Sequence, residues 1–587
     1  MNPANYRARL LLDIVRAIAG PFSLLYLFQR VVLRRSLGPW TFLLYAPLIL
    51  CWNWVSNIHA AFRKAREASR LGARPIPQVV GKWPGNIDVL LRMMRAFKTS
   101  YVLDVYLQLF QEYKCTTLNL RILWVDAEHS KFILATGFQN FWRGKYQKER
   151  METFLGEGIF NRDDERWKMH RDMARPFFAR ERISDFDLFE RYTSQALSIL
   201  ASEEASDRAS EVQDLFSRFS LDAASEFLFG KNLNTLASAR PIPGKSKMGP
   251  KGSATDDSWG SFAQAFEAAQ QNITNRGRIG RLWPLFELFG DRNVPHAQAI
   301  QAWLDPLVQQ ALEDHANEKR AGINSSIAEK TFLQHLVEST QDPILIRDQL
   351  LSMLLASRDT TACVLTFVTY ILAMHPEIAE RLRTEVVGMI GTEAVPTYEQ
   401  LRNMRYLRAV INETLRLFPP VPLNVRESRN ECAFPRVDPT YRDTDADARP
   451  LFVPANTTVV YLPMLMQRNP SLWGPDAEVF NPERWLKPEC IANFVENPTM
   501  FAPFSAGPRI CIGQNYAYNQ MSYFLVRMLQ RFESFSLAPQ LQPTGSLPPL
   551  EWKDRKGRQA FEKVWPSAAL TLYVKGGLWV YLKKART

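Results

Sequence analysis

The chain has 587 residues, 46% hydrophobic and 12% aromatic, enough to bury a large core. Its 72 basic and 60 acidic residues leave a formal charge of +12. The excess is spread along the chain, with a concentration near the N-terminus and no nucleic-acid motif beside it. That balance points to a membrane surface and an acidic protein partner rather than nucleic acid. Six cysteines, none in a CxxC pair, argue against a zinc site and a disulfide scaffold and fit a reducing compartment.

In chain order, Ala17–Gln29 is apolar but too short to cross a bilayer easily, so it is expected to lie in the interface. Leu37–Phe62 carries no Lys, Arg, Asp or Glu and is expected to span the membrane as a helix. Trp40, Trp52 and Trp54 sit near its ends, with Arg34 and Arg35 before it and Arg63, Lys64 and Arg66 after it. A buried core helix is the competing reading, and Pro39 and Pro47 weaken the helix somewhat. The span starts too far from Met1 for a cleaved signal peptide. Pro75, Pro77 and Pro84 then forbid a continuous helix. The resulting division is an anchor over 1–66, a Pro-rich hinge over 67–90 and a body over 91–587. No internal repeat or long linker divides the body, although its length alone suits several domains.

Apolar residues at three-to-four spacing predict helices over 180–230, 255–320, 345–375, 377–391 and 398–418. Strands are expected over Leu120–Trp124, Phe132–Leu134 and Thr458–Leu462. Gly576 and Gly577 predict a terminal hairpin between Leu570–Val574 and Leu578–Leu582. Ala237–Ser253, rich in Pro, Gly and Lys, reads as an exposed loop. The fold class is mainly α with a minor β component.

Several short patterns carry chemistry. Trp167 and Arg171 stand four apart, so an indole N–H and a guanidinium share one helix face; alone they read as an exposed basic turn. Asp359 and Thr360 stand in mid-helix among Leu354, Leu355, Val364 and Leu365, an unfavourable place for an acid and an alcohol without a reason. A solvated face, or a threonine back-bonded to the preceding turn, would also explain them. Glu413 and Arg416 form an i,i+3 pair before a Pro419-Pro420 stop. Arg426 follows that turn, and Arg484 lies in Asn481-Pro-Glu-Arg-Trp485.

The most specific segment is Phe504-Ser-Ala-Gly507-Pro-Arg509-Ile-Cys511-Ile-Gly513, followed by an apolar helical run. Gly507 permits a tight turn, and Gly513 lets a flat ligand approach the backbone. Cys511 stands just before a helix N-terminus, which favours a thiolate.

This string, Phe-x-x-Gly-x-Arg-x-Cys-x-Gly, resembles the haem-binding loop of the cytochrome P450 superfamily at every fixed position, and the upstream motifs recur in family order. The resemblance implies a cytochrome P450 fold, haem b as cofactor and Cys511 as the iron ligand. It implies propionate contacts from Arg509, Trp167, Arg171 and Arg426. It also implies a proton-delivery pair in Thr360 and Asp359, and a structural cluster of Glu413, Arg416 and Arg484. Ser357 stands where the family pattern has glycine, which leaves the usual helix distortion open.

By the same resemblance, Gly158–Phe160, Leu354–Ala356, Val421–Leu423 and Ala568–Leu570, all apolar, would line the substrate pocket. The strings ARPIPQVVGKWPGN and PPVPLNVRESRN resemble fungal microsomal members that oxidise alkanes and fatty acids. That implies a lipophilic substrate of the fatty acid, alkane or aromatic hydrocarbon class, and electrons from NADPH through a flavoprotein P450 reductase. It implies a site on the endoplasmic reticulum membrane with the catalytic domain cytoplasmic. A haem-thiolate isomerase or dehydratase acting on lipid peroxides without O2 is the alternative, although it needs no acid–alcohol pair. A haem sensor or lipid-binding protein has no need of that pair either.

Overall fold

The computed structural model describes residues 5–34, 38, 40–83, 86–113, 117–119, 123–125, 127–179, 186–255, 258–321, 330–435 and 449–586. Leu37, Pro39, Pro84, Leu120, 121–122, 180–185 and 256–257, which belong to the expected elements, lie outside them.

The centre of the molecule is the helix Pro343–Met374. Its side chains are buried on nearly every face, which suits its largely apolar composition. Asp342 caps it by accepting the N–H groups of Ile344 (2.9 Å) and Leu345 (3.3 Å), with Pro343 in the first helical position. It ends at His375, which precedes Pro376 and is biased away from helix. The helix Val212–Phe229 packs along it, and Ser220 Oγ donates to the Arg358 carbonyl at 2.8 Å. Helices Asp187–Ala205, Ser258–Ile279, Val294–Ala321, Pro376–Ile390, Arg405–Leu417 and Gln514–Arg531 build much of the rest of the helical mass. The stretch 398–418 breaks at Met404 into two helices, and 180–230 breaks around the short strand Ser210–Glu211.

The first apolar stretch is longer than its composition suggested. It forms Tyr6–Leu27 and runs into a wider turn over Phe28–Leu33. By length and composition, Tyr6–Val32, 27 residues, can cross a membrane. The second stretch forms Trp40–Arg70, past the expected end at Phe62. The two helices pack as a hairpin: Tyr45 Oη donates to the Ile18 carbonyl at 3.0 Å, and a Cβ on Gly20 would stand 2.8 Å from the Trp52 ring. Both ends of the hairpin are fixed to the body. Arg9 Nε donates to both Glu149 oxygens at 2.8 and 2.9 Å, and Tyr6 Oη donates to the Glu287 carbonyl at 3.1 Å. At the other end Arg74–Pro75 pairs in parallel with Leu451–Phe452. The Pro-rich stretch is thus tied into a sheet of the body.

Among the described residues the largest sheet orders its strands Leu118–Asn119, Leu123–Val125, Thr458–Tyr461, Asn424–Ser428 and Phe141–Trp142. The strand expected over Phe132–Leu134 is instead a helical turn, Phe132–Thr136. A short apolar run has no periodicity to separate strand from helix, and burial satisfies either. The terminal hairpin does not close. Leu572–Val574 pairs with Pro566–Ala568, while Trp579–Lys584 pairs with Phe532–Leu537 and Ser210–Glu211. Gly576 and Gly577 adopt positive φ but join two sheets, because Glu211 and Gln213 capture the flanking N–H groups of Leu578 (2.6 Å) and Val574 (2.7 Å).

Candidate active site

The cysteine loop is shaped by its own backbone. The Cys511 N–H donates to the Phe504 carbonyl at 2.9 Å, and the Phe504 ring packs on Tyr518 at 5.2 Å. Gly507 has φ +66°, and a Cβ there would stand 1.8 Å from the Leu134 carbonyl oxygen, so only glycine fits. At Gly513 a Cβ would meet the Phe178 ring at 3.3 Å. The helix Gln514–Arg531 starts directly after it, presenting its free N–H groups close to Cys511. The Cys511 side chain is open toward a cavity and enclosed by protein elsewhere. Burial pushes its thiol up, opposed by the Gly513 N–H and the Arg171 charge. A cationic metal on the cavity side is what would hold such a sulfur as thiolate.

That cavity, of about 470 Å³, runs between the cysteine loop and the core helix. All four apolar stretches singled out above contribute to it, through Ile159, Phe160, Leu355, Ala356, Val421, Leu423 and Ala568–Leu570. Ser357, Thr360 and Thr361 face it from the core helix, which runs unbroken past Ser357. Thr360 Oγ1 donates to the Ala356 carbonyl at 2.6 Å, the back-bond to the preceding turn. Its proton is thereby committed, and the oxygen is left as an acceptor.

Asp359 does not line the cavity. Its next-door position puts it round the helix, where Lys251 Nζ donates to it at 2.7 Å and Arg358 Nη1 at 3.0 Å. Burial alone would raise its carboxyl, but the two cations hold it below its ordinary value. Lys251 comes from the loop read as exposed. Its last residues are instead buried, with Lys251 Nζ also donating to Thr571 Oγ1 (2.8 Å) and Gln270 Oε1 (3.2 Å). The loop is drawn in because a buried carboxylate requires cations.

On another side of the cavity stand three arginines. The strand Phe141–Trp142 pairs with Glu427–Ser428, which brings Arg143 beside Asn424, where Nη1 donates to Oδ1 at 3.2 Å, and beside Arg426. Arg509 reaches Asp163 at 2.7 Å and lies over the Trp167 ring at 4.4 Å. Burial and mutual repulsion bring Arg143 down to about 9 and Arg509 down to about 10. Among the described residues, Arg143 Nε is buried without a partner. Arg171 donates to the Ile510 carbonyl at 2.9 Å and so braces the cysteine loop. Arg143, Asp163 and Lys251 escaped sequence reasoning. None sits in a spaced pattern, and each gains its place only through strand pairing or loop folding.

The Glu413 group is buried away from the cavity. Glu413 accepts both arms of Arg416 at 2.8 Å, Arg484 Nε at 3.0 Å, Trp485 Nε1 at 3.0 Å and the Asn481 N–H at 2.9 Å. Burial alone would raise its carboxyl, but Arg416 and Arg484 hold it below its ordinary value.

Across residues 120–549 the chain matches the family model for cytochrome P450. The chain belongs to the cytochrome P450 family. It is 34% identical over 484 residues to cytochrome P450 52-E3 of Starmerella bombicola, covering 81% of this chain and 88% of that one. It is 36% identical over 454 residues to cytochrome P450 monooxygenase himC of Aspergillus japonicus, covering 76% of each. Over 423 residues it is 36% identical to cytochrome P450 52A9 of Candida maltosa, with 70% and 76% covered. This P450 is therefore a monooxygenase whose cofactor is haem b, working with a redox partner on a small-molecule substrate. The donor set of the chain suits that group. A lone thiol opens onto one part of the cavity, and mutually repelling arginines, one with an orphaned Nε, line another, as two propionates require.

Proposed function

We propose that Cys511 holds the haem iron and that the chain hydroxylates a lipophilic substrate of the fatty acid, alkane or aromatic hydrocarbon class. The carrying observation is that the Cys511 thiol and the Thr360 hydroxyl face one largely apolar cavity. The haem, when bound, supplies an iron at which dioxygen is reduced and one of its oxygen atoms passes to substrate. Arg509, Arg426, Arg143, Trp167 and Arg171 orient it through its propionates and through the cysteine loop. Phe504, Gly507 and Gly513 shape the loop against its face. Thr360, with its own proton held by Ala356, accepts a hydrogen bond from water in the cavity and keeps a proton there. Asp359 relays protons from bulk water once Lys251 lets it go.

Electrons come from NADPH through a flavoprotein reductase. Exposed Lys168 and Arg175 flank Arg171 behind the cysteine loop and suit an acidic partner. Residues 1–66 anchor the enzyme in the endoplasmic reticulum membrane, 67–90 join anchor to body, and 91–587 form the cytoplasmic catalytic domain.

A carbon monoxide difference spectrum of the reduced protein tests the ligand. The wild type shows the thiolate-type Soret band, and Cys511→Ala loses both the band and turnover. Thr360→Ala keeps the band but consumes NADPH without matching product, by about 10²-fold in coupled rate. Turnover of lipid hydroperoxides without NADPH or O2 would favour the isomerase reading instead.

A further inference from the structure

Arg278 is a cation in the cavity wall that the haem site does not explain. It stands in the last turn of the helix Ser258–Ile279. Nη2 donates to the Ala568 carbonyl at 3.0 Å, and the guanidinium lies over the Phe97 ring at 4.8 Å. Its electrostatic neighbours are the phenols of Tyr106 and Tyr573, and among the described residues no carboxylate pairs with it. The other cavity arginines are each accounted for. Arg143, Arg426 and Arg509 share one cluster, Arg171 holds the cysteine loop, and Arg150 has Glu149 and Glu427 nearby.

A cation set in a largely apolar wall costs free energy unless an anion meets it. A guanidinium with one N–H taken and one face on an aromatic ring still presents an edge that matches a carboxylate in a two-point geometry. We propose that Arg278 binds the carboxylate of the substrate, so that this enzyme selects an anionic amphiphile over a neutral hydrocarbon. The head is fixed between the helix Ser258–Ile279 and the strand Pro566–Ala568, and the apolar chain extends along Leu423, Val421 and Ala356 into the shared cavity. This rests on the lipophilic reading of the cavity and narrows it to acids.

The test uses the full-length holoenzyme in detergent. Wild type, Arg278→Gln and Arg278→Lys are titrated with dodecanoic acid, its methyl ester and dodecane, reading the substrate-induced spin shift, with the carbon monoxide spectrum as a control for haem loading. Wild type binds the acid more tightly than the ester. Arg278→Gln weakens the acid about tenfold or more and leaves the ester unchanged, and Arg278→Lys recovers part of the loss. Equal weakening of acid and ester would reduce Arg278 to a packing residue and overturn the proposal, as would no effect on either. A wild type that binds ester and dodecane as tightly as the acid overturns the Arg278 assignment alone. A wild type that binds none of the three overturns the lipophilic reading and this one with it.

Discussion

Lys251 shows how one side chain can control another 108 residues away in the chain. Its ammonium group holds Asp359 together with Arg358, and Thr571 and Gln270 complete its shell. A carboxylate so paired is kept from carrying protons. Replacing Lys251 with Met leaves Asp359 buried with one cation, which costs about 3–5 kcal/mol at neutral pH. The folded carboxyl of Asp359 lies below its ordinary value, so this stabilisation is fully present above pH of about 4 and disappears as pH falls through the folded value. Urea unfolding of wild type and Lys251→Met at pH 7 and well below a pH of about 4 measures it. The gap between the two proteins narrows at the lower pH, and a gap independent of pH would remove Asp359 from the account.

At the scale of elements, the N-terminal helical hairpin packs against the body next to elements that line the cavity. The first turn of Tyr6–Leu27 touches both the helix Lys145–Leu155, through Glu149, and the turn Gly280–Glu287, where Tyr6 meets Trp283 at 4.4 Å. Those neighbours continue into cavity-lining positions, Gln147, Arg150 and Met151 on one side and Gly277 and Arg278 on the other. The Arg9–Glu149 pair is buried, so Arg9→Ala strands a carboxylate and releases the first turn at a cost of about 3 kcal/mol. Trypsin then cuts at Arg7 and Arg16 faster in the variant, while the carbon monoxide spectrum stays intact. Equal cleavage rates would show that the contact contributes nothing.

For the whole molecule, Glu413 joins parts of the chain far apart in sequence. Arg416 also donates to the carbonyls of Gln467 (2.7 Å) and Ala477 (2.6 Å), and Gln467 ties Leu415 and Arg416 to Ala502, a few residues before the cysteine loop. Glu413→Gln removes the charge on which two buried guanidiniums depend, with a loss of about 3–5 kcal/mol. That is a large fraction of a typical domain's stability. The variant is expected to accumulate without haem, seen as a lost Soret band at equal protein. Retention of full haem content would mean that the cluster is dispensable.

The chemistry-bearing loop was legible in sequence because its constraints are local. Gly507 and Cys511 act through backbone geometry and a helix start only a few residues away, and the helices were legible because periodicity writes a buried face into neighbouring positions. What lay beyond reach depends on partners distant in the chain. The paired strands Phe141–Trp142 and Asn424–Ser428 bring Arg143 to Arg426, and the folding of a polar loop brings Lys251 to Asp359. The open hairpin at Gly576-Gly577 follows the same logic, since strands take whichever edge tertiary packing offers. By itself, then, the sequence determined the family, the local geometry of the cysteine loop and the helical class. Only the tertiary structure decided which charges meet, and among the described residues it left Arg278 in the cavity wall without a carboxylate. Electrostatic partnership acts through space, and local sequence carries no record of it.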